Sequence, residues 1–339
     1  MTEKLRQILN TIKEFSIKAL DGAAPLAKSA AARVPELAGR LFSFAVEWWR
    51  FGVGALFAVL VLYYPAGAFF FNRIDVNPAF NDGSKAAVKT ADTLAALIGR
   101  EVDKHAFTPN LPFFYPAAVL DNMPAYQTGV IDGAQKIAAV LAKRNPDAAG
   151  LQKAADALAY PATVWHVDDW KPAVSSDKKY RAAAADIAKY AADAANGDQV
   201  FDNSSASLKS FAAVLAEQLK SDSDTLAAQI AKGEKRVLDW SADTVFYTVK
   251  GRAYVWYLIA RDLHSDFETA FLQAGVRKHW EKAVAALKSA ALMQPMVVVN
   301  GSPETQFAPN HLLGLGFYLS RAAFALNDLE HAVDAQSDE

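Results

Sequence analysis

The chain has no cysteine. Disulfides, thiolate nucleophiles and zinc sites built on thiolates are therefore excluded, although the absence fixes no compartment. Strong net charge is lacking too. The 35 Lys and Arg against 37 Asp and Glu leave a formal charge of −2, which gives no general attraction for nucleic acid. Catalytic signatures are missing: there is no Gly-x-Ser-x-Gly and no His-Glu-x-x-His, the spacings that build a nucleophile elbow or a helical zinc pair. The pairs Gly52/Gly54 and Gly314/Gly316 follow no strand and complete no phosphate-binding fingerprint, so they are read as easing helix packing. Strand signal is thin, since only "ATVWHV" and "MVVVNG" cluster β-branched residues; each is expected to give at most a short strand.

What is present is apolar, alanine-rich and helical in pattern. Hydrophobic residues make up 52% of the chain and charged ones 21%, enough to bury a core. Charge is unevenly placed. Residues 1–50 carry eight basic and five acidic side chains, and the remainder is net acidic. Between the two lies Phe51–Phe71, 21 residues without a charge. As a helix this run is about 30 Å long, the thickness of a bilayer's hydrocarbon core. Trp48 and Trp49 precede it, Tyr63 and Tyr64 lie near its far end, and Arg50 and Arg73 bracket it, as headgroup-level residues do. Arg33, Arg40 and Arg50 before the run outweigh Arg73 and Lys85 after it, so the N-terminus is expected in the cytoplasm.

Ala66-Gly67-Ala68 imitates a signal-peptidase site, and Phe51–Tyr64 before it has the length of a signal's apolar region. The preceding segment of about 50 residues is too long for a signal, and cutting would leave Phe69-Phe70-Phe71 as a sticky new end. An uncleaved anchor is expected, kinked at Pro65.

The expected organisation is mainly α. Residues 1–49 form a cytoplasmic amphipathic segment, with Leu5, Ile8, Leu9, Ile12 and Phe15 on one face. Residues 50–71 form a transmembrane helix and 72–83 a linker rich in Asn, Asp and Pro. Residues 84–335 form a periplasmic helical-bundle domain, with at most short strands. Val88, Ala91, Leu94, Ala95 and Ile98 mark its first helix. Further helices are expected over 124–144, from Asn145-Pro146 to Leu158, from Ser176 to Asn196-Gly197, and over 204–220, 223–233, 241–264, 266–292 and 309–332.

Two clusters are candidate binding sites. Trp165, His166, Asp168, Asp169 and Trp170 gather aromatics, carboxylates and an imidazole in one loop, a surface suited to sugar or peptide; the plainer reading is a loop pinned by buried Trp. Glu304, Asn310 and His311 fall close together with Ser302. A Glu poised by a His could serve acid–base chemistry, while Asn310 is equally an ordinary helix start. Asp262, His264, Asp266 and Glu268 match no metal-ligand spacing and are read as a helix boundary. No catalytic residue, metal or cofactor is expected.

The strings "EWWR", "NRIDVNPAF", "YPATVWHVDDWKPAVSSDKKYRAA" and "NGSPETQFAPNHL" together resemble a bacterial family known only as domain of unknown function 2333, over nearly all of the chain after about residue 40. That resemblance implies no activity and transfers no functional residue. The expectation is a single-pass protein of the bacterial inner membrane. Its partners would be the lipid bilayer and an envelope protein or a second copy, with no nucleic acid. A tethered cell-wall hydrolase using Glu304 and His311 is the alternative.

Overall fold

The computed structural model describes residues 2–168, 170–233, 240–272, 274–301 and 309–337. It is mainly α, as expected, with nine α-helices among the described residues. The first, α1 (Thr2–Phe71), runs 70 residues without a break. Within it Val46–Phe71 is long and apolar enough to cross a bilayer, and of that stretch Gly67 alone is buried. The expected kink at Pro65 does not end the helix, which closes six residues later where Asn72 N–H donates to the Ala68 carbonyl at 3.1 Å. The side chains of Leu5, Ile8, Leu9, Ile12 and Phe15 lie outside those described. The chain divides into two compact units, Met1–Tyr63 and Tyr64–Glu339.

The second unit is built around one helix whose middle is fully enclosed. After α1 come α2 (Lys89–Gly99), α3 (Asn122–Arg144), α4 (Ala149–Leu158), α5 (Ser176–Asn196), α6 (Ser205–Gly233), α7 (Trp240–Asp266), α8 (Ala274–Ala291) and α9 (His311–Ser337). Helix α7 packs on α2, α3, α6, α8 and α9. Its stretch Ala253–Ala260 is accordingly buried on every side. A helix apolar all round must be enclosed by protein or lipid, and here protein encloses it. On one flank α2, α3, α4 and α5 pack together; on the other, α6, α8 and α9.

Several boundaries differ from those the sequence predicts. Ser221–Asp224 imitates a helix cap, yet α6 runs straight through it. Asp222 is buried there, accepting from Arg252 Nε at 2.6 Å and Trp256 Nε1 at 3.3 Å on α7. This cross-helix pairing overrides local preference. Asn145 does not start α4. It ends α3, with Nδ2 on the Leu141 carbonyl at 2.8 Å and Oδ1 accepting from Asp202 N–H at 3.0 Å. "ATVWHV" yields one two-residue strand, β1 (Val167–Asp168), paired antiparallel with β2 (Lys171–Pro172). "MVVVNG" yields a single bridge, Asn300 to Asn310. Gly197 closes α5 as expected, with φ +80°.

One charge inside the core is costly. Lys250 on α7 is 1% exposed, and its Nζ donates to the Met293 carbonyl. Burial depresses its pKa to about 8. The unfolded chain holds this proton up to the usual 10.5, so stability rises as pH climbs from about 8 to 10.5 and the full cost applies below 8. The shift corresponds to about 3 kcal/mol at neutral pH. Lys250→Met removes that cost and forfeits one hydrogen bond. A net gain of about 1–2 kcal/mol is expected. The cleaner readout is the difference between the two proteins in denaturant titrations from pH 7 to 11: it should shrink across pH 8–10.5, and a constant difference would rule the assignment out.

Candidate functional site

The tryptophan loop stands on a pinned base. Buried Asn110 donates to the Val164 carbonyl at 3.3 Å, and Ser176 reaches the same carbonyl through N–H and Oγ, at 2.9 and 2.8 Å. Trp165 then leaves the base and packs edge-on against Phe114 at 5.6 Å and Tyr115 at 6.4 Å between ring centroids. His166 lies over Trp165 at 4.9 Å and is exposed. Beyond the β1–β2 pair, Trp170 sits at the tip with φ +64° and is 98% exposed. A tryptophan in the left-handed region is uncommon and strained; its ring goes to solvent rather than to the core. Asp169 and the side chain of Asp168 lie outside what is described.

The second cluster is part of a helix start. Asn310 caps α9, with Oδ1 accepting from Leu313 N–H at 2.8 Å, the N-cap geometry. Its amide nitrogen donates to the Gly301 carbonyl at 2.7 Å and to Asn300 Oδ1 at 3.0 Å. His311 Nδ1 accepts from Val299 N–H at 2.9 Å, which leaves Nε2 to carry the proton of the neutral ring. Asn300 Nδ2 ties the turn to the Gln229 carbonyl on α6 at 3.2 Å. Glu304 lies outside the described residues. The two clusters occupy different places: the first packs on the loop after α2, the second on the end of α6.

One buried polar group was not anticipated, and it involves the segment expected to be a linker. Residues 75–80 are instead clamped to the helices. Tyr126 on α3 donates to the Asp75 carbonyl at 2.9 Å, and Tyr254 on α7 to that of Asn77 at 2.8 Å. Tyr257 and Arg261 both donate to the Pro78 carbonyl, at 3.1 and 3.0 Å, and Arg261 also reaches that of Phe80 at 2.9 Å. Beneath them lies Arg100, 4% exposed, with its guanidinium 4.7 Å from the Phe80 ring centroid and 5.2 Å from that of Tyr254. Arg100 pairs with Glu101 at 2.8 Å and Asp75 at 3.3 Å. Burial opposes the Arg100 charge, but Glu101, Tyr126 and Tyr254 outweigh it and hold the pKa above the ordinary value. Burial also raises the Tyr126 and Tyr254 hydroxyls, the latter to about 12. Both therefore stay protonated donors at physiological pH. Neighbouring residues on an α-helix point apart. Here α2 passes into a π-helical turn, Arg100–Lys104, closed by His105 N–H on the Arg100 carbonyl at 2.9 Å. The wider turn brings both side chains inward. Glu101 is further held by Gln127 Nε2 at 3.2 Å.

Asp262 pairs with Arg261 at 2.7 Å, and Asp266 caps α2 by accepting from Lys89 and Thr90 N–H at 2.8 and 2.9 Å. His264 lies over Phe271 at 4.8 Å. Among the described residues no group of three or more His, Asp and Glu is placed to hold a metal.

A surface groove of about 640 Å³ lies between α6 and α9. Ala213, Ala216, Ala323 and Phe324 supply apolar lining, with Glu217, Lys220 and Asp224 also on it. On α9, Leu313, Phe317 and Phe324 are 46%, 56% and 70% exposed; their spacing of four and seven places them on one face.

These features define a class: a mainly helical domain following one helix long and apolar enough to cross a membrane. The chain belongs to the bacterial family described as "Uncharacterized protein conserved in bacteria (DUF2333)", whose model matches residues 86–335. The strings at 160–183 and 300–312 lie inside that match, and those before residue 86 lie outside it. No curated protein and no solved structure matches the chain.

Proposed function

We propose that this is a single-pass protein of the bacterial inner membrane whose helical domain, in the periplasm, binds a partner protein of the envelope. The observation that carries the reading is the exposed apolar face of α9 beside its groove. Phe324 at 70% exposure and Phe317 at 56% are large rings left in water on a regular helix. Such a face with a groove fits an amphipathic helix, whose own apolar positions recur every three to four residues. The anchor reading is supported by the exposed apolar stretch Val46–Phe71, and the orientation by the basic residues that precede it. Retention of the anchor is supported by Gly67, which is buried against Pro116: cutting after Ala68 would strip this contact from the domain.

The test is a photoreactive amino acid placed at Phe324 or Phe317 in living cells, with exposed Lys278 on α8 as the comparison position. A discrete adduct with another protein from the α9 positions, missing at Lys278 and abolished by Ala323→Glu, is expected. An adduct of twice the 36.7 kDa chain would make the occupant a second copy and overturn the partner assignment. No adduct from either α9 position would overturn the binding role altogether.

A further inference from the structure

The loop between α2 and α3 touches the end of the apolar helix. Tyr64 Oη donates to the Phe113 carbonyl at 3.0 Å. Three residues on, Gly67 lies so close to Pro116 that an added Cβ would collide with its ring and carbonyl. The loop therefore lies flat on the turns from Tyr64 to Gly67. These turns are inside the apolar stretch, not beyond it. Gly67 is about 6 Å and Tyr64 about 10 Å along the axis before the last helical residue, Phe71.

The chemistry of the loop matches that depth. From Ala106 to Leu120 there is no charged side chain. Phe113 is 82% exposed, Phe114 48% and Tyr115 39%, beside a helix end that itself shows Phe69 and Phe70 at 81% and 59%. Trp165 braces Phe114 and Tyr115 from the domain side. In water this patch of rings is unfavourable. At the boundary between headgroups and acyl chains it is favourable, and aromatic side chains concentrate there. Backbone entering that region must meet its own polar needs. Pro112 and Pro116 offer no N–H, and the N–H groups of Leu111, Tyr115, Ala118 and Leu120 donate to carbonyls within residues 108–117.

We infer that Phe113, Phe114 and Tyr115 form a lipid-binding foot seated in the headgroup–acyl boundary of the leaflet in which α1 ends. The occupant is the bilayer surface itself, so the inference rests on the reading of α1 as a membrane span. It makes the domain a membrane-seated body with two attachments, one through α1 and one through the loop.

The cysteine-free chain allows a clean test. Full-length protein, one copy per lipid nanodisc, carries a single nitroxide on Phe113→Cys, Leu60→Cys or Glu217→Cys. Collision with oxygen, which favours lipid, is compared with collision with a water-soluble nickel complex. Lipid-like values at Leu60, intermediate values at Phe113 and aqueous values at Glu217 are expected. Phe113 matching Glu217 while Leu60 stays lipid-like would overturn the foot and leave the anchor standing. Leu60 matching Glu217 would overturn the anchor, and the foot with it. A Phe113 label shielded from both reagents would mean protein covers the loop, which also overturns the inference. Phe113 is exposed, so its replacement leaves the core intact, and circular dichroism checks this.

Discussion

Gly251→Val is expected to remove most of the stability of the helical domain. Helices α3 and α7 cross with their backbones in contact, through glycines on both sides. A Cβ on Gly251 would fall on the Tyr126 carbonyl oxygen and lie 3.0 Å from Val130 N; one on Gly129 would fall on the Thr248 carbonyl oxygen. Backbone cannot yield as a side chain can, so the helices must separate along a contact that includes fully buried Tyr126, Tyr254 and Trp256. Overpacking of side chains alone costs about 1–3 kcal/mol, and separating two core helices exceeds that. Against a total of roughly 5–15 kcal/mol for a domain, this is a large fraction. Gly129→Ala should behave similarly, although alanine is the better helix former by about 1 kcal/mol. The contrast is Gly99→Ala, at φ −59° with nothing within 4 Å of the added carbon, which should stabilise by about 0.5–1 kcal/mol. Urea titrations of the three variants in detergent decide the matter. Equal midpoints for Gly129→Ala and Gly99→Ala would show that the close crossing does not govern stability.

The second large effect is expected at Arg100. Arg100→Met leaves Glu101, 0% exposed, without its cation and should cost about 3–5 kcal/mol. Gln127 Nε2 at 3.2 Å and His105 Nδ1 at 3.4 Å remain beside the carboxylate, but they do not replace a guanidinium held through both Nε and Nη2. Pairing the change with Glu101→Gln removes the stranded charge, so the double variant should recover much of the loss. A double variant no more stable than the single one would mean that Arg100 and Glu101 are not coupled in the folded protein. Segment 75–80 supplies a second readout. With Arg100 gone, Asp75 and Phe80 both lose their cation, so amide exchange in this segment should quicken in either variant.

Local patterns were legible where burial follows a simple period. Val88, Ala91, Leu94, Ala95 and Ile98 gave away α2, and all five are buried. The family relation was legible in the strings at 160–183 and 300–312. Long-range pairing hid the rest. Ser221–Asp224 has the composition of a cap, and only Arg252 and Trp256, some 30 residues later, make Asp222 a buried partner. Asn145-Pro146 likewise looks like a helix start until Asp202 supplies the contact that makes Asn145 an end. The clamp on residues 75–80 draws on Arg100, Tyr126, Tyr254, Tyr257 and Arg261, which no spacing rule connects; Asn, Asp and Pro in that segment signal irregular backbone, not whether its carbonyls are taken. At the candidate sites, aromatic density around Trp165 was visible but its contact with Phe114 and Tyr115 was not. The charge-free run 106–120 was the available signal for that loop.

If the chain is anchored and binds a partner as proposed, the clamp also sets how far the domain can search. Twelve unrestrained residues between a membrane helix and a domain would let that domain roam about 20 Å from its point of emergence. With the carbonyls of Asp75, Asn77, Pro78 and Phe80 taken, residues 75–80 contribute none of that slack. On the proposed reading, a partner of the α9 face must come to the membrane to be met. Lengthening the tether would widen the search but dilute the encounter.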